Sequence, residues 1–284
     1  MSSGRRVVTP LRMSRLISFL PFRKLDLSPA HHYLSTPLAA AVLVLCLAGA
    51  ASAHVWHESF DSELSSIGLS IAQHPLVSPI DSSGIDGSRA IRVTYQGYER
   101  GSRRVVLSPV LPSPAMSYEL SFAVKFCDGF DFAKGGKLHG LGPRNPVTGG
   151  RPITPQGWSA RLMFRQSGGL MTYVYHQDMP TKYGQTKLAP SFRFRPGRYY
   201  LVAMRVTLNE PVIASNGKVE VWVNRTKLIE HTGLRFRATD GPDGMIQRLL
   251  FSTFHGGDSA EWAPRDAAGA YKEDCAYFDD WTIQ

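Results

Sequence analysis

The sequence predicts an all-β fold, a jelly-roll β-sandwich with one concave substrate-binding sheet, and three observations carry that expectation. Beyond residue 53 no segment keeps a helical period. Short runs that alternate apolar and polar residues recur instead, and clusters of Gly, Pro, Asn and Ser separate them. Many strands with hardly any helix can bury their apolar faces only by packing sheet against sheet.

The first element in the chain stands apart from that fold. Leu38 to Ala50 reads LAAAVLVLCLAGA, apolar and uncharged, and Ala51-Ser52-Ala53 follows it. This is the pattern of a secretory h-region with its cleavage site, so residues 1–53 are expected to be a signal region cut near Ala53. Residues 54–284 are then one extracellular domain. The n-region is long and carries Arg5, Arg6, Arg12, Arg15, Arg23 and Lys24, which makes Met13 an alternative start. An uncleaved anchor is the competing reading, and the small-residue cleavage pattern argues against it. No later stretch is apolar for long enough to span a bilayer, so no stable membrane association is expected after cleavage. The formal charge of +9 falls to +4 without the signal region, with 26 basic residues against 22 acidic ones. The basic balance is therefore largely a targeting charge, and nucleic acid is not an expected partner.

Strands are expected near residues 90–97, 104–111, 118–126, 158–165, 170–177, 198–208, 218–224, 247–255 and 275–283. In the third of these Tyr118, Leu120, Phe122, Val124 and Phe126 share one face, which is core. In the fourth, Trp158, Ala160, Leu162 and Phe164 face one way, and Ser159, Arg161, Met163 and Arg165 the other. In the fifth, Tyr173, Tyr175 and Gln177 oppose Thr172, Val174 and His176. A hairpin through Gly168-Gly169 would place Ser159 and Arg161 on one sheet face with Tyr173 and Tyr175. Residues 127–157 read as a long irregular loop containing GGKLHGLG from Gly135, and a second Gly-rich segment follows Phe254. Cys127 and Cys275 are the only cysteines beyond the signal region, either bridged or two separate thiols. Asn224-Arg225-Thr226 is a glycosylation sequon, a pattern that also arises by chance.

The succession GFDFAKGGKLHGL, GWSARLMFR, TYVYHQDMPTKYG, FSTFHGGDSAEWAP and CAYFDDWTI resembles polysaccharide lyase family 14, the alginate and glucuronan lyases. The resemblance covers most of residues 54–284. It implies a jelly roll whose concave sheet binds a 4-linked polyuronate and cleaves it by β-elimination. Matched position by position, the family's functional residues fall on Lys137, Ser159, Arg161, Tyr173 and Tyr175. Arg165, Gln177 and His139 are candidate substrate contacts. The family's motif usually has proline where this chain has His139, which points either to a tolerated loop substitution or to a neutral base beside Lys137.

The chemistry asks for such a set independently. The C5 proton of a 4-linked uronate is weakly acidic, so its carboxylate must be neutralised as charge develops, a task for Arg161 and Lys137. A base must take that proton and an acid must protonate the departing O4. Tyrosine, with an ordinary pKa of about 10, can do either if neighbouring cations lower it. Tyr175 is assigned as acid and base, with Tyr173, Ser159 and Lys137 assisting. Two rivals stand beside this reading. One is a lectin-like module with the same groove and no chemistry. The other is copper-dependent oxidative cleavage through an N-terminal His54. No acidic cluster or His/Cys spacing calls for a metal or other cofactor. His176 reads as structural or surface, and adjacent Asp279 and Asp280 face opposite ways, which discounts a carboxylate pair. A monomer acting on an anionic polysaccharide is expected.

Overall fold

The computed structural model describes residues 55–284; the expected signal region, the expected cleavage site and His54 lie outside the described residues. In chain order the elements are β1 (Trp56–Glu58), α1 (Ser66–Ala72), β2 (Val77–Ile80), β3 (Ala90–Tyr98), β4 (Gly101–Ser102), β5 (Val105–Leu107), β6 (Val110–Ala115) and β7 (Ser117–Phe126). There follow β8 (Gly135–Gly142), β9 (Ser159–Arg165), β10 (Gly169–Tyr175), β11 (Gln185–Ala189), β12 (Tyr199–Thr207), β13 (Gly217–Val223), β14 (Thr226–Leu234), β15 (Ile246–His255) and β16 (Glu273–Ile283).

These strands form two antiparallel sheets. A back sheet runs β14-β13-β12-β7-β16-β3-β2, with β1 on β16 and β4 on β3; a front sheet runs β11-β10-β9-β8-β15-β5, with β6 on β15. The alternation in β7 does what its sequence implies, because Tyr118, Leu120, Phe122, Val124 and Phe126 are all buried between the sheets. From the front sheet Trp158, Ala160, Leu162, Phe164, Leu170 and Val174 meet them. Among the described residues both sheets and this core belong to one compact unit. Among the described residues no helix is long and apolar enough to cross a membrane.

Cys127 and Cys275 are bridged, with Cα atoms 5.4 Å apart. The register explains it: Phe126 pairs with Ala276, so the two cysteines leave neighbouring strands side by side. Several expected elements differ. The supposed loop 127–157 contains β8, the run 104–111 splits into β5 and the start of β6, and β11 and β14 lie in segments expected to be loop. One helix, α1, escaped the sequence reading. It is seven residues long, capped by the Ser65 hydroxyl, which accepts from Gly68 N–H, and it buries Ile67 and Ile71. Two inward residues are too few to register as a period.

Candidate active site

The hairpin from β9 to β10 sets the site. Arg161 pairs with Tyr173 and Ser159 with Tyr175, as the alternation implied. Ser167 and Gly168 both take positive φ in the turn, 58° and 78°, which closes the hairpin tightly. On the other side of β9 lies β8, where Lys137 pairs with Met163 and Gly140 with Arg161. Three steps along β8 thus match two along β9, a β-bulge at Leu138-His139. Glycine is required here. A Cβ on Gly140 would sit 2.1 Å from the Ala160 carbonyl oxygen and 2.7 Å from the Cα and Cγ of Arg161. One on Gly136 would strike the Phe164 ring at 2.2 Å.

Lys137 reaches across the groove face, its Nζ 3.0 Å from the Met163 sulfur and 3.8 Å from the centre of the Tyr173 ring. The Arg161 guanidinium lies 5.7 Å from the same ring, so two cations flank one phenol. Tyr173 and Tyr175 bring their hydroxyls to 3.3 Å. Burial, with added repulsion from Arg161, Arg165 and Arg104, holds the Lys137 ammonium well below its ordinary pKa. Burial likewise lowers Arg161 to about 10, although both tyrosines oppose that fall. Tyr173 moves opposite to expectation. Burial first, then its contact with Tyr175, raises it further than Arg161 lowers it, so its hydroxyl keeps its proton. No carboxylate forms an ion pair with Lys137, Arg161, Arg165 or Arg104 among the described residues.

Tyr175 and Ser159 occupy the same face but lie under a roof. Tyr175 Oη accepts from Gly150 N–H at 2.9 Å, and the Ser159 hydroxyl donates to the Val147 carbonyl at 2.8 Å. Both side chains are fully buried as a result. The roof turns at Gly149 and Gly150, which have φ of 67° and 76°.

One candidate contact is corrected. His139 is not in the groove: the bulge turns both Leu138 and His139 into the sandwich, where the imidazole lies between Phe122, Phe251, Phe278 and Trp281. Neither a base beside Lys137 nor a loop lacking proline describes it, because the segment is a strand. Gln177 is tied to its own chain, its Nε2 donating to the carbonyls of Thr154 and Phe236, while its Oε1 can still accept; it lines a hollow with Gly150 and Arg151 beside the roof over Tyr175. Arg165 is at the site, half-buried with its guanidinium 5.7 Å from the Trp262 ring. His176 Nε2 donates to Gln185 Oε1 at 2.6 Å, and the ring is buried in a structural role, one of the two expected for it. Arg104 and Trp262 were missed. Trp262 sits in a motif that the resemblance includes, whereas Arg104 begins an unremarkable strand and only the fold brings it beside Phe254, 5.2 Å from the ring centre. No group of three or more His, Cys, Asp or Glu that would hold a metal exists among the described residues.

Comparison with known proteins bears on the family and the fold. The sequence profile of polysaccharide lyase 14 matches residues 93–275. A marine alginate lyase of that family from Aplysia kurodai superimposes with a TM-score of 0.63 at 22% identity, over 82% of this chain and 99% of the other. Alginate lyase Aly36B, as a variant with a lysine and a tyrosine replaced by alanine and in complex with an alginate tetrasaccharide, gives 0.57 at 25% identity over 69% and 80%. The endo-β-1,4-glucuronan lyase of Trichoderma reesei gives 0.54 at 11% over 81% and 95%, a likeness of fold. No curated protein sequence matches the chain.

Proposed function

We propose, from the premise that this chain belongs to polysaccharide lyase family 14, that it is a secreted enzyme cleaving a 4-linked polyuronate, alginate or glucuronan, by β-elimination. One observation carries the reading: Lys137, Arg161, Arg165 and Arg104 crowd one another beside a tyrosine pair, with no carboxylate to offset them. Lys137 and Arg161 are the desolvated members of the group; an unpaired charge there is costly, and the ligand that relieves the cost is an anion.

A uronate carboxylate placed against Arg161 and Lys137 restores the ammonium and offsets the charge that builds as C5 loses its proton. Tyr173, holding its proton, donates a hydrogen bond toward the sugar or Tyr175. Tyr175 is assigned the transfers: as phenolate it takes the C5 proton, and it returns that proton to O4 as the C4–O4 bond breaks and a C4=C5 double bond forms. This requires the Gly149-Gly150 turn to lift from Tyr175 Oη when the polymer enters. That roof is the one feature favouring a sugar-binding module without chemistry.

Incubating the protein with glucuronan, polymannuronate and polyguluronate, while following ultraviolet absorbance of unsaturated ends, separates the two. Binding without new absorbance on any of them would end the lyase reading. Tyr175→Phe and Arg161→Ala should each cost about 10²-fold or more in kcat with the fold intact. Near-normal turnover in both would remove the site assignment.

A further inference from the structure

The glycosylation sequon occupies an unusual place. Val223 pairs with Thr226 across the tip of the β13–β14 hairpin, so Asn224 and Arg225 form a two-residue turn, and both take positive φ, 48° and 67°. Asn224, Arg225 and Thr226 are all exposed. The Asn224 amide is also oriented. Its Oδ1 accepts from the Leu201 N–H at 2.9 Å, and because only the oxygen can accept, Nδ2 is turned away from that bond. Nδ2 is the atom to which an N-linked sugar is joined.

A second observation stands beside it. Trp222, two residues earlier and inside β13, is half-exposed on the outer face of the back sheet. It is paired with Ala203, whose small side chain leaves the indole room to lie over the sheet. Trp222, Leu201, Ala203, Arg205 and Arg225 line a shallow hollow of about 430 Å³ there. Leu201 is 42% exposed, so the hollow holds two large apolar side chains on an otherwise polar face. Arg205 and Lys227 lie over the indole, 5.3 and 5.8 Å from its ring centre, and each is also paired with a carboxylate, Arg205 with Glu119 at 2.8 Å and Lys227 with Glu220 at 2.6 Å, so a sugar laid on the ring packs beside these two cations.

We propose that Asn224 carries an N-linked glycan whose first N-acetylglucosamine lays its C–H face on Trp222. The inference rests on the reading that the chain enters a secretory pathway. The donor is an oligosaccharide on a polyprenyl diphosphate. The Nδ2–C1 bond forms as the C1–O bond to the diphosphate breaks, the diphosphate leaves with that electron pair, and Nδ2 gives up one proton. The hairpin tip exposes the acceptor, and the tryptophan then makes the attached sugar part of the fold.

The test is expression of residues 55–284 behind a host leader in a eukaryotic secretory host. The compact unit that carries both sheets is thereby delivered behind a leader that the host processes. Peptide N-glycosidase should remove a glycan and leave aspartate at position 224, and Thr226→Ala should prevent its attachment while keeping the Asn224 amide. Loss of the glycan in Thr226→Ala should lower Tm by about 2–4 °C. In a Trp222→Thr background the same loss should change Tm little. Secreted protein unmodified at Asn224, or a glycan effect on Tm that survives Trp222→Thr, would overturn the inference. Lyase activity of the same preparations reports separately on the front-sheet site, so an inactive but glycosylated protein would count against the lyase reading alone.

Discussion

Replacing His139 by leucine separates a core histidine from a groove histidine in one pair of measurements. The imidazole is fully buried, its ring centre 4.3 Å from that of Trp281 and 4.4 Å from that of Phe251, and neither nitrogen has a hydrogen-bond partner. Burial holds its pKa well below 6.5. The unfolded chain's His139 takes up a proton below pH ~6.5, and the folded chain's does not. Stability contributed at this position is therefore present at neutral pH and lost as pH falls through the unfolded value. At ~1.36 kcal/mol per pH unit, the loss between pH 7.5 and 5 is about 2 kcal/mol. Leucine removes this dependence, so the stability difference between His139→Leu and the parent should grow by that amount over the same range. In Tm it is about 4–8 °C for a domain of this size. Other histidines held low by burial, His231 and His255 among them, are common to both proteins and cancel in the difference. Urea or thermal unfolding at the two pH values measures it. Turnover of the folded variant should be unchanged. A difference that does not vary with pH, or a folded variant without activity, would refute the placement.

Three further changes test the frame around the site. Gly140→Ala puts a Cβ against the Ala160 carbonyl and Arg161, so it should separate β8 from β9, lowering stability by about 1–3 kcal/mol and kcat by more than that loss explains. Cys127→Ser with Cys275→Ser opens a loop with a sequence separation of 148. By the chain-entropy relation this costs up to about 5 kcal/mol, visible in urea unfolding, while activity persists at low temperature. Arg104→Ala removes an exposed cation beside Phe254 at the groove's end, so KM should rise several-fold, and more at low salt than at high, with kcat little changed.

The parts of the fold that were legible in the sequence are those where one rule acts alone. In β7, in β9 and in β10 beyond Gly169, period-two alternation runs unbroken within each strand, and the faces, the hairpin register and the shared face of Ser159, Arg161, Tyr173 and Tyr175 follow from it. β8 defeated the same reading. Its glycines at 135, 136, 140 and 142 mimic a loop, whereas three of the four are there because Phe164, Arg161 or the β9 and β15 backbones come too close for a Cβ. The bulge then breaks the parity that would have set His139 beside Lys137. The roof on Tyr175 depends on where residues 147–150 return over the sheet, which no local pattern encodes. Arg104 and Trp262 join the site from segments far away in the chain. The direction of the Tyr173 shift was missed for a related reason: the cations were visible in the sequence, but the burial that outweighs them was not.

The electrostatics of the front sheet favour function over stability. Tyr173 gives Lys137 and Arg161 a ring face in place of a carboxylate, and a cation over an aromatic ring recovers only about 0.5–2 kcal/mol. That is less than the several kcal/mol that desolvating an ion can cost. A core selected for stability alone would place apolar side chains there, as the inner face of the same strand does with Ala160, Leu162 and Phe164. The cations are also too close to one another to be indifferent, since Arg161, Arg165 and Arg104 each push Lys137 toward its neutral form. On the proposed function a single sugar carboxylate relieves both penalties together, and the relief grows as negative charge develops on the carboxylate during proton loss. On that reading part of the stability forgone at the front sheet returns as preferential binding of the transition state, which is the form of binding that accelerates a reaction.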